Sequence, residues 1–169
     1  MDLSQVYREH YRSLVRFLYR RIGDQARAED LAQDAFVRAI EHQPSQPRAW
    51  LFTVAANLAR DEGRRESVRR KHLTLIKAEA EARPPEPPPE LALERREAVR
   101  QVQAALARLA ERDREALLLW EEGFSYDEIA EVLGLSRGSI GTTLARARTR
   151  LAEAFDRIKS EGSEEDVAR

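Results

Sequence analysis

The sequence contains no cysteine and no long run of apolar residues. The first absence excludes disulfides, thiolate chemistry and cysteine-based metal sites. The second absence, together with the polar start at residues 1–4, predicts a chain with no membrane span and no secretion signal, which we expect in the cytoplasm. Alternating β-branched residues are also missing, so no strand is predicted and the expected fold class is all-α.

Neither sign of charge is in excess, because the sequence contains 29 Lys and Arg and 30 Asp and Glu, which gives a formal net charge of −1. Nucleic-acid-binding domains are usually basic, so this total argues mildly against one. The charges are segregated, however. Basic residues are in excess in residues 1–77, with 15 basic and 10 acidic residues, and in residues 136–159, with six basic and two acidic residues. Residues 109–135 are acidic, with two basic and eight acidic residues. Opposed patches of this kind indicate more than one partner.

Apolar residues recur at three- and four-residue steps in the N-terminal part, which predicts three amphipathic helices. The first ends at Gly23, and the third begins at Pro47 after a break at residues 43–47. Gly63 is expected to mark a bend or the end of the third helix, because glycine costs about 1 kcal/mol of helix propensity. The apolar face of that helix carries Trp50, Leu51, Val54 and Leu58.

Five of the seven prolines lie at residues 84–89, where they exclude a helix and favour an extended chain. We therefore predict two small domains, one of three to four helices at residues 1–77 and a helix-turn-helix domain at 99–160. A Pro-rich acidic linker at 78–98 would join them, and residues 161–169 would form a polar tail. The alternative is a loop inside one domain, although long structureless loops are uncommon in compact domains.

The C-terminal segment has the layout of a helix-turn-helix. Ser125 and Glu128 can form a capping box on a short helix that Gly134 ends, and Ser136 can cap a longer second helix. Opposite the apolar stripe of that second helix lie residues small enough for close approach to base edges, namely Gly138, Thr142, Ala145 and Thr149. Arginines suited to phosphates flank them: Arg137, Arg146, Arg148 and Arg150. The pattern indicates DNA binding; the alternative is a helical hairpin that only packs.

Two further surfaces lie in the N-terminal part. The third helix has a polar and then basic stripe of Thr53, Asn57, Arg60 and Arg64, which suits unpaired bases and backbone, with a solvated surface as the alternative. The second helix has an acidic ridge around an exposed Val37, which suits a protein contact; its members are Asp30, Gln33, Asp34 and Glu41.

Together these motifs resemble those of the extracytoplasmic-function sigma factors, the small two-domain initiation subunits of bacterial RNA polymerase. The matching stretches are AEDLAQDAFVRA at 28–39, RAWLFTVAAN at 48–57, LAERDREA at 109–116, FSYDEIA at 124–130 and LARAR at 144–148. Separate motifs in the right order over nearly the whole chain make the resemblance specific, whereas a helix-turn-helix alone fits many regulators.

The resemblance implies a protein that directs polymerase to specific promoters and assists promoter melting. It implies docking on the clamp helices of the largest subunit through Asp30, Gln33, Asp34 and Val37. It implies capture of unpaired −10 bases by the 43–47 loop together with Thr53, Asn57, Arg60 and Arg64. It implies −35 recognition through Ser136, Arg137, Ser139, Thr142, Thr143, Arg146 and Arg148. Promoter DNA, the flap of the second-largest polymerase subunit and an anti-sigma factor are the other partners implied.

Two positions depart from the family pattern, which often has a basic residue where this chain has Gly141 and an arginine where it has Thr143. Recognition of the −35 element is therefore expected either to be weaker or to depend more on shape and methyl contacts.

An enzyme is the weakest alternative, because His10, His42 and His72 lie far apart and no phosphate-binding glycine loop is present. No catalytic residue, cofactor or metal is therefore expected. The stronger alternative is an operator-binding regulator that does not engage polymerase. Such a regulator would bind duplex DNA alone, usually as a dimer on a palindrome.

Overall fold

The computed structural model describes residues 2–74 and 92–167. The chain divides into two compact units, residues 1–84 and 85–169. In the described residues both units are built of α-helices, with seven helices and no strand, which confirms the all-α prediction. The proline run at 84–89 lies outside the described residues.

Unit 1 contains α1 (Leu3–Ile22), α2 (Gln25–His42) and α3 (Pro47–Thr74). The Asp2 carboxylate caps α1 by accepting from the backbone N–H groups of Ser4 and Gln5, at 3.0 and 3.2 Å. Gly23 ends α1 with φ of 79°, a left-handed conformation that glycine adopts without a Cβ penalty. Each helix contributes to one apolar core, whose largest members are Leu14, Phe17, Leu18, Leu31, Phe36, Leu51 and Phe52.

The sequence predicted that α3 would bend or end at Gly63. The predicted end is wrong, because α3 continues to Thr74. The part beyond Gly63 is exposed, and side-chain pairs three and four residues apart support it. Glu66 lies 3.8 Å from Arg69 and 3.5 Å from Arg70. A single glycine costs too little to end a helix that such pairs support.

Unit 2 contains α4 (Leu93–Ala107), α5 (Glu111–Glu121), α6 (Tyr126–Leu133) and α7 (Arg137–Val167). Two predicted boundaries need correction. The helix α4 begins inside the segment assigned to the linker, and α7 continues through most of the segment assigned to a tail. Glu161 of that segment pairs with Arg108 at the end of α4, with Oε2 2.8 Å from Nη2.

The turn between α6 and α7 forms as local sequence chemistry predicts. The Ser125 hydroxyl accepts from the Glu128 backbone N–H at 3.2 Å, and the Glu128 carboxylate accepts from the Ser125 N–H at 2.7 Å. Gly134 ends α6 with φ of 64°, and α7 begins directly after Ser136. The predicted capping box and glycine stop are both confirmed.

Candidate nucleic-acid and partner interfaces

One face of α7 is buried and the opposite face is open. Ile140, Leu144 and Ala147 are fully buried against the rest of unit 2. The small residues predicted opposite them are all exposed, namely Gly138, Thr142, Ala145 and Thr149. The predicted rotation of the helix is therefore confirmed, and these four residues opposite the buried face carry only small side chains.

Two residues of the predicted −35 set are engaged in the fold. Thr143 is only 6% exposed, so its side chain faces the interior and is not presented on the open face. Its position, one residue before Leu144, places it at the border of the apolar stripe. The Ser139 hydroxyl donates to the Ser136 carbonyl at 2.8 Å in the first turn of α7. Thr143 is therefore removed from the candidate contacts, and Ser139 is committed to its own helix.

The flanking arginines are held by neighbouring helices. Arg137 forms an ion pair with Asp127 of α6. The Arg148 guanidinium lies 5.7 Å from the ring centre of Trp120, within the range of a cation–π contact. The Trp120 ring in turn lies 5.5 Å from that of Tyr126. The sequence analysis did not assign these two exposed aromatic residues to this surface.

Tyr126 also changes the surroundings of Gly141. A Cβ atom placed at Gly141 would lie 3.6 Å from Cε2 of Tyr126, so the tyrosine ring lies against α7 at this glycine. The surface beside Thr142 is thus aromatic at the point where the family pattern often has a basic residue.

Arg146 and Arg150 share a partner that the sequence analysis missed. The Asp113 carboxylate of α5, with a side chain 1% exposed, accepts from Arg146 Nη2 at 2.7 Å and from Arg150 Nη1 at 3.0 Å. Asp113 lies three residues before Ala116 and four before Leu117, both buried. A carboxylate on the apolar stripe of a helix was the available signal, because a buried charge needs a partner.

The predicted −10 stripe lies along one face of α3. Arg60 Nη1 donates to Asn57 Oδ1 at 3.0 Å, and Asn57 and Arg64 are exposed. The Thr53 hydroxyl donates to the Ala49 carbonyl at 2.9 Å, which leaves mainly its methyl group for a partner. An open cleft of about 420 Å³ lies between α1 and the 43–47 loop, with Gln43 and Ser45 in its lining.

The pairing of α2 with α3 fixes this stripe relative to the acidic ridge. Arg27 of α2 forms a two-pronged ion pair with Glu62 of α3, with N–O distances of 2.7 and 2.8 Å. The hydrogen bonds from Arg27 hold the pKa of Glu62 below its ordinary value, so this carboxylate stays ionised at neutral pH.

The predicted ridge on α2 is exposed along its length. The Asp30 side chain is 63% exposed and 3.5 Å from Arg27, Val37 is 55% exposed, and Gln33 and Asp34 are also exposed. Two apolar neighbours were missed: Ile40, which is 50% exposed one turn after Val37, and Tyr7 of α1, which is 44% exposed.

Comparison with known proteins decides the family. Residues 6–69 match sigma-70 region 2, and residues 99–151 match sigma-70 region 4. The chain is 32% identical over 166 residues to the RNA polymerase sigma factor YlaC of Bacillus subtilis, and the match covers 95% of both chains. It is also 33% identical to the extracytoplasmic-function sigma factor SigL of Mycobacterium tuberculosis, over 84% of this chain and 82% of that relative. The chain belongs to the extracytoplasmic-function sigma factors.

Two further comparisons agree with this assignment. The sigma factor is 31% identical to the extracytoplasmic-function sigma factor SigE of Mycolicibacterium smegmatis, over 94% of its own length and 63% of that relative. Its fold is similar to the sigma factor RpoE of Bartonella quintana, solved in complex with the anti-sigma factor NepR, with a TM-score of 0.71 and 28% identity. That match covers 92% of this chain and 97% of RpoE.

As a sigma factor, the protein directs RNA polymerase to specific promoters, and its partners are core polymerase and promoter DNA. The hypothesis of an operator-binding regulator is not favoured, because it does not account for the match of residues 6–69 to sigma-70 region 2. Sigma factors are non-enzymatic regulators of transcription. Within residues 2–74 and 92–167, no helix is long and apolar enough to cross a membrane, and no cluster of side chains is suited to a metal ion.

Proposed function

We propose a division of labour in which unit 1 docks on polymerase and holds the opened −10 element, while unit 2 recognises the −35 element. The domain limits that support this are those of the two compact units and of the region 2 and region 4 matches. The observation that carries the proposal is the presence of an exposed acidic ridge on α2, a partly exposed polar and basic stripe on α3, and an open small-residue face on α7.

The ridge on α2 suits docking on a basic protein surface such as the clamp helices of the largest subunit. Asp30 and Asp34 provide exposed carboxylates, and Val37 provides an apolar side chain between polar ones. Interfaces of this kind combine an apolar centre with a polar rim, and complementary charge sets their specificity and association rate. Ile40 extends the apolar part of the ridge by one turn.

The stripe on α3 suits a separated strand. The Asn57 amide is exposed and can pair with a base edge, while the Arg60 guanidinium beside it can reach a phosphate. The cleft at the 43–47 loop has the size to take an unpaired base. Unstacking a base costs a few kcal/mol, and contacts of this type with the freed strand offset that cost. On this basis we propose that unit 1 assists promoter melting.

The open face of α7 suits the major groove. Small side chains permit close approach, and the Thr142 methyl and hydroxyl groups are available to a base pair. Arg137, Arg146 and Arg148 lie at the flanks, where each is already held by a neighbouring helix. We place Ser136 with them at the start of α7, and we leave out Thr143 because it is buried.

Three further elements complete the proposal. We infer contact of unit 2 with the flap of the second-largest subunit, and regulation by an anti-sigma factor, as in the RpoE complex with NepR. We place the protein in the cytoplasm with RNA polymerase, and we assign it no catalytic activity of its own.

Run-off transcription with core polymerase and a genomic promoter library tests this function. We expect specific transcripts only when the sigma factor is added. The absence of any specific transcript would contradict the proposed function.

The docking ridge is tested by Asp30→Arg combined with Asp34→Arg. Loss of two charge pairs at an interface is expected to weaken core binding by more than about 100-fold. The stability of unit 1 should change by less than about 1 kcal/mol, because both side chains are exposed.

The matched control reverses two exposed carboxylates of α4, Glu94→Arg combined with Glu97→Arg, outside the region 4 match. This variant should bind core polymerase as the unchanged protein does. Equal affinity of the folded Asp30 and Asp34 double variant in a pull-down would remove the ridge from the proposed interface.

A further inference from the structure

A buried carboxylate beneath the −35 face holds two arginines of α7. Asp113 accepts from Arg146 through Nε at 3.2 Å and Nη2 at 2.7 Å, and from Arg150 through Nη1 at 3.0 Å. The Asp113 side chain is 1% exposed, whereas those of Arg146 and Arg150 are 46% and 52% exposed. One anchored anion thus holds two cations whose outer parts remain open.

The carboxylate stays charged in this position. Hydrogen bonds from Arg146 hold the pKa of Asp113 below its ordinary value, against the opposite effect of burial. Stability alone is a weak reason for such an arrangement, because well-packed apolar residues often replace buried ion pairs without loss. The arrangement does determine where the guanidinium groups lie.

The geometry leaves Arg146 with one specific pair of donors. Its Nε and Nη2 edge is occupied by Asp113, so the end-on edge formed by Nη1 and the second Nη2 hydrogen is the part left for another partner. Arg146 is four residues after Thr142 and three before Thr149, so its side chain lies beside theirs at the edge of the open face. A guanidinium already fixed by Asp113 loses little further freedom on binding.

We propose that Asp113 is a positioning residue for −35 recognition, which orients the end-on edge of Arg146 toward a partner with two adjacent acceptors on the DNA. That partner is either the O6 and N7 edge of a guanine or two oxygens of one phosphate, since both accept a bidentate arginine. The proposal rests on the role assigned above to the open face of α7. The local sequence around residue 113 shows a carboxylate on an apolar stripe but does not identify its partner, because Arg146 is 33 residues away.

Asp113→Asn tests the proposal in the full-length protein bound to core polymerase, on a promoter obtained from the run-off screen and randomised at its −35 element. Asparagine keeps the size of the side chain but removes the charge that holds the two arginines. If Arg146 contacts guanine, preference at one base pair should fall about tenfold. If it contacts phosphate, all −35 variants should weaken alike and the dependence on salt should become shallower. Either result supports positioning by Asp113.

A double-mutant cycle with Arg146→Ala separates positioning from a general structural effect. If Asp113 acts through Arg146, Asp113→Asn should have little further effect on DNA binding once Arg146 is alanine. An equal effect in both backgrounds would overturn the proposal, and so would unchanged DNA binding by the folded Asp113→Asn protein. Thermal unfolding of each variant shows whether it is folded.

Arg146→Lys provides a second variant, which keeps the buried Asp113 carboxylate and its contact with Arg150. Lysine keeps the charge but not the two-pronged geometry, so this variant should reproduce the DNA-binding defect of Asp113→Asn. Full activity of Arg146→Lys would overturn the proposal even if Asp113→Asn fails to fold. Normal binding by both Arg146→Ala and Thr142→Ala would instead contradict the assigned α7 face, which distinguishes that failure from a failure of positioning alone.

Discussion

Asn57 offers the most direct test of strand capture by unit 1. Its side chain is exposed on α3 and accepts one hydrogen bond, from Arg60 Nη1 at 3.0 Å. Asn57→Ala removes this bond at the surface and leaves the apolar core of unit 1 intact, so the free energy of unfolding should change by no more than about 0.5 kcal/mol. A defect in transcription would therefore report on a lost contact with the promoter.

The size of that defect can be bounded. A good hydrogen-bonded contact between an amide side chain and a base is worth about 1–3 kcal/mol, and 1.4 kcal/mol corresponds to a factor of ten. The equilibrium between closed and open promoter should therefore shift toward the closed form by about 5- to 150-fold. Formation of the initial duplex complex should change little, because it precedes strand separation.

Permanganate footprinting of unpaired thymines measures the open fraction, and a gel-shift of the closed complex measures initial binding. Glu66→Gln is a matched control, since Glu66 is exposed on the same helix but nine residues later, half a turn around it. The control should open the promoter normally. A normal footprint for Asn57→Ala would show that Asn57 is only a surface residue and that the stripe on α3 does not hold the strand.

The other predictions concern −35 specificity and domain organisation. Thr142→Ala should change the preference among base pairs at one −35 position by about 1–3 kcal/mol, measured by competition between promoter variants, because its side chain lies on the open face of α7. Unchanged preference would mean that another side of α7 faces the groove. Limited proteolysis of the free protein should cut near residues 84–90 and leave two stable helical fragments, as expected of two compact units. A single species resistant throughout would contradict independent units.

Local features of this protein could be predicted from its sequence because their causes lie within a few residues. Gly23 and Gly134 end their helices through left-handed backbone, and Ser125 with Glu128 forms the capping box from adjacent residues. The open face of α7 followed from the 3.6-residue period, since the position of Ile140 determines which side Thr142 occupies. The family resemblance rested on motifs of the same local kind.

The extent of the helices was harder to predict, since it depends on contacts made far along the chain. Residues 161–169 were predicted to form a polar tail after the second domain, whereas α7 continues to Val167 and Glu161 pairs with Arg108, 53 residues away in sequence. The burial of Thr143 is also tertiary: a residue at the border of an apolar stripe is covered or open according to how neighbouring helices pack. Periodicity determines on which side of a helix each residue lies, but it does not determine how wide a face the neighbouring helices cover.

Only the tertiary structure showed how the charges of the candidate site are arranged. From the sequence, the arginines of α7 formed a set of equivalent phosphate contacts. In the fold Arg148 lies over Trp120, whereas Arg146 and Arg150 share the buried Asp113. Ion pairs between helices depend on the distance and orientation of two backbones, and sequence separations of 33 and 37 residues carry no information about either. The sequence therefore determined how many arginines α7 carries, whereas the packing of α5 against α7 determined where their side chains lie.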